Sequence, residues 1–408
     1  MNKPLIKFIA FSFLPKLEAE SILNFKIIKQ LSKKNFYWEI FSIQNKRNLG
    51  LQEYKPLLNN NISFYEIKED DHMFKKLVSK YLNRFFLIPD SFTLYFFALV
   101  KLFKKSSKSF DIIFSWSSPN STTLFAMYLK NKYNKPWIAH FSDPWTDNPY
   151  VKTKYNYLTK KINLYLEKQV MKNANYIVFT TEETKDLCMG KYPKELKQKA
   201  VVIPHSYDLE LYSDTQYYNK KLIIRYIGSF YKNRTPVALL EALKKIKEKT
   251  SNLNSLLSFE IYGPSNINFN LNRAIGKYNL QDIVVHKGEV NYSESIKLMT
   301  TADVLVNIDA PSNINVFLTS KVVEYLGSKK PILSISSRKG STARFMDEIN
   351  GDIAEHHETA KIIKYFEKYL YQKKSNTLEA KVNNSVFKKY ASKNISLEYD
   401  LILKKCLN

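Results

Sequence analysis

Residues 111–150, DIIFSWSSPNSTTLFAMYLKNKYNKPWIAHFSDPWTDNPY, carry the pattern of a strand, a polar turn, a helix, a second strand and a polar loop. A β-branched and aromatic run opens the stretch, helical apolar spacing follows at Leu124–Lys130, and a second strand pattern lies at Trp137–Phe141. In open α/β sheets, ligands bind beyond the carboxyl ends of such strands. The loops after the two strands, SSPN at 117–120 and HFSDPWTDNP at 140–149, are therefore where we expect chemistry.

The same alternation of strand and helix patterns runs through the whole chain of 408 residues and predicts parallel, doubly wound sheets. A polar stretch without apolar periodicity, Ser206–Lys221, interrupts it. We therefore predict an α/β chain of two Rossmann-like domains, 1–205 and 206–385, followed by a helical segment, 386–408, that crosses back toward the first domain. The predicted strands are Ile6–Phe11, Trp38–Ser42, Ile62–Tyr65, Ile112–Ser115, Trp137–Phe141, Tyr176–Thr180, Ala200–Pro204, Ile223–Ile227, Ser258–Tyr262, Ile283–His286, Val304–Ile308 and Pro331–Ile335.

The composition is that of a globular protein with a strong positive charge. The net charge is +25, and residues 1–200 hold 33 Lys and Arg against 17 Asp and Glu. Such a charge favours a polyanionic partner, either nucleic acid, a phosphorylated substrate or an anionic lipid surface, although a Lys-rich composition from an AT-rich genome explains part of it. The two cysteines, Cys188 and Cys406, form no metal or disulfide motif, which favours a reducing cytoplasm. No apolar run reaches the roughly 20 residues needed to span a bilayer.

Several enzyme classes are excluded by missing motifs. The chain has nine glycines, and no G-x-G-x-x-G turn follows the first strand. This argues against a dinucleotide-dependent oxidoreductase, because that turn needs small residues for backbone amides to approach a pyrophosphate. P-loop, kinase and H-E-x-x-H signatures are also absent, and no metal centre is predicted.

The second half of the chain holds a candidate pyrophosphate site in IIRYIGSFYKNRTPVALLEA, residues 223–242. A helix that opens near Thr235 and Pro236 would offer free amides and a positive dipole end beside Lys232 and Arg234. The alternative is a surface turn with two solvated cations. Three strands here end in glycine turns, at Gly228, Gly263 and Gly288, so that a base and a ribose could lie along one edge of the sheet.

A further helix is predicted from Thr319 or Ser320 to Gly327, with Ser320 as its cap. Lys321 and Glu324 then lie on one face. A carboxylate at this position can accept both hydroxyls of a ribose. The alternative is an ordinary helical ion pair.

Four blocks carry a resemblance to a known family: PWIAHFSDPWTDNP; ANYIVFTTEETKDL with KYPKELKQKAVVIPHSYD; YIGSFYKNRTP; and ADVLVNIDAP with FLTSKVVEYLGSKKPIL. With these blocks the chain resembles family 4 glycosyltransferases of the GT-B fold, of the type that builds bacterial surface polysaccharides. The resemblance implies two Rossmann-like domains facing an interdomain cleft, the first for the acceptor and the second for the nucleotide-sugar, with the C-terminal helix packed on the first. It also implies retaining transfer of a sugar to a lipid-linked or saccharide acceptor, as in O-antigen or capsule biosynthesis.

The resemblance assigns roles residue by residue. Glu324 takes the place of the second E-x7-E glutamate, which holds the ribose, and Arg234 that of a basic residue at the diphosphate. His140 takes the place of the histidine that approaches the transferred sugar. The sequence departs from the family pattern at Val316, where the first glutamate would stand, and at Ser229, which replaces a frequent basic residue. The first loop, Phe13–Ser21, also lacks the frequent glycines of an acceptor loop. We therefore predict catalytic residues His140 and Asp143; donor-binding residues Gly228, Ser229, Lys232, Arg234, Gly263, Gly288, Ser320, Lys321 and Glu324; and acceptor-binding residues Pro15, Ser117, Ser118, Asn120 and Trp145.

The expected partners are a UDP- or GDP-linked sugar, a lipid-linked or oligosaccharide acceptor and an anionic membrane surface, without metal, cofactor or nucleic acid. Residues 74–108 interleave aromatic and basic side chains, which suits docking on the inner face of the cytoplasmic membrane; a core helix pair is the alternative. Alternative functions are a GT-B sugar-nucleotide epimerase, a catalytically degenerate transferase subunit and a basic nucleic-acid-binding protein.

Overall fold

The computed structural model describes residues 3–16, 18–44, 52–68, 88–90, 92–149, 156–213, 217–230, 233–264 and 269–408. Its contacts divide the chain into two compact units. Unit 1 comprises Met1–His205 together with Ser392–Asn408, and unit 2 comprises Ser206–Ala391.

Unit 1 is built on a parallel sheet whose described part has seven strands in the order β3-β2-β1-β4-β5-β6-β7. The order reverses direction between β1 and β4, so the loops after these two strands diverge at the carboxyl edge and leave a crevice there. The strands are β1 Leu5–Ala10, β2 Tyr37–Gln44, β3 Ile62–Lys68, β4 Ile112–Ser117, β5 Trp137–Phe141, β6 Tyr176–Phe179 and β7 Ala200–Val202. The helices described in unit 1 are α1 Ala19–Leu31, α2 Thr93–Phe103, α3 Asn120–Tyr133, α4 Tyr157–Asn173, α5 Glu182–Met189, α6 Lys194–Lys197 and, at its end, α15 Ser392–Leu407, with a 3-10 turn at Gln52–Leu57.

Unit 2 has a second parallel sheet, with six strands in its described part, in the order β10-β9-β8-β11-β12-β13. Here the order reverses between β8 and β11, and the turn after β8 holds Gly228. The strands are β8 Leu222–Ile227, β9 Leu257–Tyr262, β10 Val284–Gly288, β11 Val304–Ile308, β12 Ile332–Ile335 and β13 Asp352–Ala354. The helices described in unit 2 are α7 Val237–Lys249, α8 Leu253–Leu256, α9 Leu271–Lys277, α10 Tyr292–Thr300, α11 Ser320–Gly327, α12 Ser341–Glu348, α13 Thr359–Lys374 and α14 Asn384–Lys389, with a 3-10 turn at Leu209–Leu211.

The twelve strands predicted from sequence are all present, and β13 is an addition. β13 has only three residues, too few for a periodic pattern to show. The central strands β1, β4 and β5 are buried along nearly their whole length, as expected for strands covered by helices on both faces. The segment 386–408 forms the end of α14 and α15, and α15 packs on α1 within unit 1.

Only part of the basic segment 74–108 can be described, since residues 74–87 and 91 lie outside the described residues. Its described helix, α2, buries Tyr95, Leu99 and Phe103, so this face belongs to the core. The opposite face exposes Phe97 together with Lys101, and the following lysines 104, 105 and 108 are exposed as well. No helix among the described residues is long and apolar enough to cross a membrane.

Candidate functional site

Three glycine turns meet at the carboxyl edge of the unit 2 sheet. The N–H of Gly228 donates to the carbonyl of Tyr262 at 2.8 Å, and the N–H of Gly263 donates to the carbonyl of Gly288 at 2.7 Å. Gly263 has a φ of +134°, and a Cβ there would lie 2.1 Å from the Gly228 carbonyl oxygen. Only glycine allows the backbones to approach in this way. The structure thus brings the three predicted glycines together and leaves backbone, not side chain, at this edge.

Lys321 lies directly against the first of these turns. A Cβ at Gly228 would fall 2.2 Å from Lys321 Nζ, and this ammonium also donates to the hydroxyl of Tyr226 at 2.9 Å. Burial lowers the pKa of Lys321 well below its usual value, and the nearby Arg234 cation lowers it further, although Asp309 opposes the shift. Two basic side chains lie close together here, and an anionic ligand beside them would favour the charged form of Lys321.

Arg234 is 5% exposed, and its orientation depends on Asp309 at the end of β11. Its Nη2 lies 3.8 Å from Oδ1 of Asp309. The other carboxylate oxygen of Asp309 accepts three hydrogen bonds of 2.8 Å, from Asn315, Ser336 and Thr342. Asp309 was not predicted as a site residue, because its partners come from two loops and the first turn of α12 and leave no local pattern.

Glu324 lies in α11, four residues after its start, and is 7% exposed. Its Oε1 accepts a hydrogen bond from the Tyr292 hydroxyl at 3.0 Å, and its backbone carbonyl accepts one from Tyr212. The carboxylate is thereby held in one orientation. Its other oxygen has further acceptor capacity, since an ionised carboxylate offers about four lone pairs.

Of the remaining residues predicted at this edge, Ser320 needs correction, Ser229 is described, and Lys232 is not. Ser320 is not the cap of α11: the N-cap is Thr319, which makes no side-chain capping bond and instead donates to Asn307 at 3.2 Å. Ser229 is exposed, and its carbonyl accepts from the Tyr226 hydroxyl. Lys232 lies outside the described residues.

In unit 1, His140 is buried on β5 and stacks on Trp116 of β4, with ring centroids 3.5 Å apart and planes 18° apart. Among the described residues its Nδ1 has no hydrogen-bond partner. Burial lowers the pKa of His140 well below its usual value, and His205 contributes. The imidazole is therefore neutral near pH 7. Tyr399 of α15 lies beside it, with centroids 6.4 Å apart, so the helix after unit 2 completes the surroundings of His140.

A carboxylate that was not predicted, Glu20, lies next to this stack. Its Oε2 accepts from the indole N–H of Trp116 at 2.6 Å and from Ser142 at 3.1 Å. Burial raises the pKa of Glu20 to about 7, with the charge of Asp143 as the second cause. No sequence signal marks Glu20, since an acidic residue in the first turn of a helix is ordinarily a solvated partner of the helix dipole.

The loop after β5 exposes Asp143 and buries Trp145. The indole of Trp145 donates to Asn163 at 3.0 Å, and the following amide, of Thr146, donates to buried Glu167 at 2.9 Å. The side chain of Trp145 thus anchors the loop to α4, whereas Asp143 is exposed in the same loop. Contact between Trp145 and the acceptor stays a prediction.

The remaining predicted acceptor residues differ in exposure. Ser117 is 2% exposed, which argues against direct contact with a ligand. Ser118 is exposed and has a φ of +135°, a region that favours glycine, so the turn after β4 holds it in a strained conformation. Asn120 opens α3 and is partly exposed, as is Pro15 in the loop after β1. Within the described ranges, no group of three or more His, Cys, Asp or Glu could hold a metal ion.

Comparisons with known proteins cover both halves of the chain. Residues 66–211 match the family described as Glycosyltransferase Family 4, and residues 211–385 match the family described as Glycosyl transferases group 1. No curated protein matches the chain by sequence.

Solved structures resemble the chain over its whole length. Sucrose-phosphate synthase from Thermosynechococcus elongatus has a TM-score of 0.68 at 13% identity, with 98% of each chain covered. Alr3699/HepE from Anabaena, in complex with UDP and glucose, has a TM-score of 0.66 at 11% identity, and the match covers 98% of this chain and 99% of that one. The lipopolysaccharide outer core galactosyltransferase WaaB has a TM-score of 0.58 at 14% identity, and the match again covers 98% of this chain and 99% of that one. At these identities the likeness establishes the shared fold.

Proposed function

Because the chain belongs to the group 1 and family 4 glycosyltransferases and has their GT-B fold, we propose that unit 2 binds a nucleotide-sugar and unit 1 binds the acceptor. The proposed reaction is retaining transfer of the sugar to a hydroxyl of a lipid-linked or saccharide acceptor in the synthesis of a cell-surface polysaccharide. The donor is a UDP- or GDP-sugar, and the reaction needs no metal.

The observation that carries this proposal is the meeting of Gly228, Gly263, Arg234 and Lys321 at one edge of the unit 2 sheet. The glycine turns let a diphosphate approach the backbone, and its charge would be matched by Arg234 and by Lys321, whose charged form the bound anion favours. When the bond between the anomeric carbon and the diphosphate oxygen breaks, negative charge grows on the leaving group. Preorganised cations stabilise that charge without a metal ion.

Glu324 supplies the second donor contact. In the proposed complex its carboxylate accepts hydrogen bonds from the ribose hydroxyls, and the bond from Tyr292 keeps it oriented for this. The complex of HepE with UDP and glucose supports a uridine nucleotide as the first donor to test.

For the acceptor, the likeness to WaaB supports a surface saccharide, and α2 supports a membrane approach. Phe97 is 62% exposed on α2, beside exposed Lys101, with Lys104, Lys105 and Lys108 following. An aromatic side chain with neighbouring lysines suits the boundary of an anionic leaflet. We propose that this face holds the protein on the inner surface of the cytoplasmic membrane.

The test is thermal stabilisation of the purified full chain by a panel of UDP-, GDP- and CDP-sugars. One nucleotide should raise the melting temperature of the wild type, and Arg234→Ala and Glu324→Ala should each remove that increase. Arg273→Ala and Glu294→Ala are matched controls, since both side chains are exposed in the same unit, and they should retain it. No shift with any nucleotide would refute the proposed donor site.

Val316 favours one second candidate, a transferase subunit that binds the donor without turning it over. Donor binding without release of nucleoside diphosphate, even with the true acceptor, would support that candidate. Conversion of the donor into an isomeric sugar nucleotide or its hydrolysis, with no second substrate, would instead indicate an epimerase.

A further inference from the structure

Glu20 is a partly buried carboxylate that the arguments above leave without a role. Both hydrogen bonds it makes in the described part of the chain go to Oε2, from Trp116 Nε1 at 2.6 Å and Ser142 Oγ at 3.1 Å. Its Oε1 has no partner among the described residues. A carboxylate that is fixed by two donors on one oxygen presents the other oxygen in a defined direction.

The donors that fix Glu20 belong to the surroundings of His140. Trp116 is the ring on which His140 stacks, and Ser142 lies two residues after His140 in the same loop as Asp143. His140 is itself 1% exposed with Nδ1 unpartnered within the described residues. Partly buried Glu20 and buried His140 are thus joined through one indole at the carboxyl edge of the unit 1 sheet, where the loops after β1 and β4 diverge.

We propose that Glu20 is an acceptor-binding residue, whose Oε1 accepts a hydrogen bond from a hydroxyl of the acceptor sugar next to His140. The proposal rests on the function proposed above, because it names the substrate contact of the same enzyme. Sugar hydroxyls donate hydrogen bonds. A carboxylate with one fixed oxygen accepts best from the hydroxyl that points toward that oxygen, and it thereby selects one hydroxyl of the sugar. Glu20 binds and orients the hydroxyl in this scheme; no proton transfer is assigned to it.

The charges around Glu20 give the site a distinct pH dependence. Burial raises its pKa to about 7, and the negative charges of Asp143 and, more weakly, Glu18 add to the shift, while the bonds from Trp116 and Ser142 oppose it. The other titratable groups packed nearby do not interfere: burial lowers the pKa of His140 well below its usual value and that of His205 to about 3, while the pKa of the Tyr399 phenol is raised well above its usual value. Acceptor affinity should therefore increase as the pH rises through about 7, where the Glu20 carboxylate forms.

The experiment measures binding of octyl glucoside, galactoside, N-acetylglucosaminide and rhamnoside to the full chain by saturation-transfer NMR, with UDP or GDP present, from pH 5.5 to 8.5. Glu20→Gln is the main variant, because the amide oxygen can still accept from Trp116 and Ser142 while the charge is lost. Its melting temperature and its stabilisation by nucleotide should match those of the wild type. Its affinity for the glycoside should fall about 10- to 100-fold above pH 7, the range for a hydrogen bond to a charged group, and should lose its pH dependence.

Glu18→Gln is the matched control, a carboxylate two residues earlier that is exposed and bonded to Ser12 and Lys16. It should bind the glycoside with the affinity of the wild type at pH 8.5, and the loss of its charge should move the pH dependence only slightly toward lower pH. Equal affinity and pH dependence in the wild type and Glu20→Gln would overturn the proposal, as would the absence of any glycoside binding by a wild-type protein that binds its nucleotide. The rise in melting temperature with nucleotide is measured on the same samples. Its absence would instead refute the donor site, so the two failures are distinguishable.

Discussion

Replacing Asp309 by Ala should destabilise unit 2 more than any exposed substitution in that unit. The carboxylate is 2% exposed and accepts three hydrogen bonds of 2.8 Å. Asn315, Ser336 and Thr342 would lose this acceptor but keep weaker bonds to one another, at 3.0 and 3.4 Å, so we count about 1 kcal/mol each. Arg234 would also lose the carboxylate that lies 3.8 Å from its guanidinium, for which we count about 1 kcal/mol. The expected loss in the free energy of unfolding is the sum of these terms, about 4 kcal/mol.

The assay is hydrogen exchange followed by mass spectrometry on peptides that cover β11 and β12. A loss of about 4 kcal/mol corresponds to exchange about 1,000-fold faster where exchange follows global opening of unit 2. Asp309→Asn keeps one acceptor oxygen and should lose about half as much, about 2 kcal/mol. The control is Asp282→Ala, an aspartate whose side chain is 40% exposed and paired with Lys247, where the loss should stay below about 1 kcal/mol. Exchange less than tenfold faster in Asp309→Ala would show that the network around Asp309 does not support the sheet.

Binding of a nucleoside diphosphate should take up protons at pH values between the free and the bound pKa of Lys321, because burial and a neighbouring cation lower the pKa of free Lys321 and a bound anion would raise it again. The affinity for the nucleoside diphosphate is then fully present below the free pKa of Lys321 and falls as the pH rises from the free to the bound pKa. Calorimetry in two buffers of different ionisation enthalpy measures the proton uptake, and equal heats of binding in both buffers would contradict it. Gly263→Ala should cost about 1–3 kcal/mol, since φ is +134° and the new Cβ would lie 2.1 Å from the Gly228 carbonyl oxygen; urea denaturation measures this, and an unchanged midpoint would contradict it. Lys7→Met should cost about 3–5 kcal/mol in the same assay, because it leaves Glu39 buried without its cation, whereas combining it with Glu39→Leu should recover most of the loss; equal losses in the single and double variants would count against a buried ion pair.

Sequence patterns predicted the sheets and the meeting of the three glycine turns in unit 2, because both follow from local chemistry. Period and composition locate each strand, and the carboxyl ends of parallel strands share an edge, so turns at Gly228, Gly263 and Gly288 had to meet. The surroundings of His140 were harder to predict. Glu20 and Trp116 are 96 residues apart, and only the pairing of β1 with β4 brings their elements together.

Trp145 shows what the sequence of a loop leaves open. Its place in a polar loop predicts an acceptor contact, whereas in the structure its indole is buried and bonded to Asn163 of α4. Nothing in the loop sequence reveals which helix lies beneath it. Local sequence thus identifies where a loop begins, whereas the direction of each side chain in it depends on contacts with elements remote in the chain.

The return of the chain to unit 1 has a consequence for its biosynthesis. Residues up to His205 leave the ribosome first, but α15, which packs on α1 and brings Tyr399 beside Trp116 and His140, leaves only after all of unit 2 has been made. Unit 2 can therefore complete its core during translation, while the nascent unit 1 keeps an uncovered apolar surface on α1 and β4 until residues 392–407 emerge. A chaperone bound to the growing chain would find its target in the half that was made first.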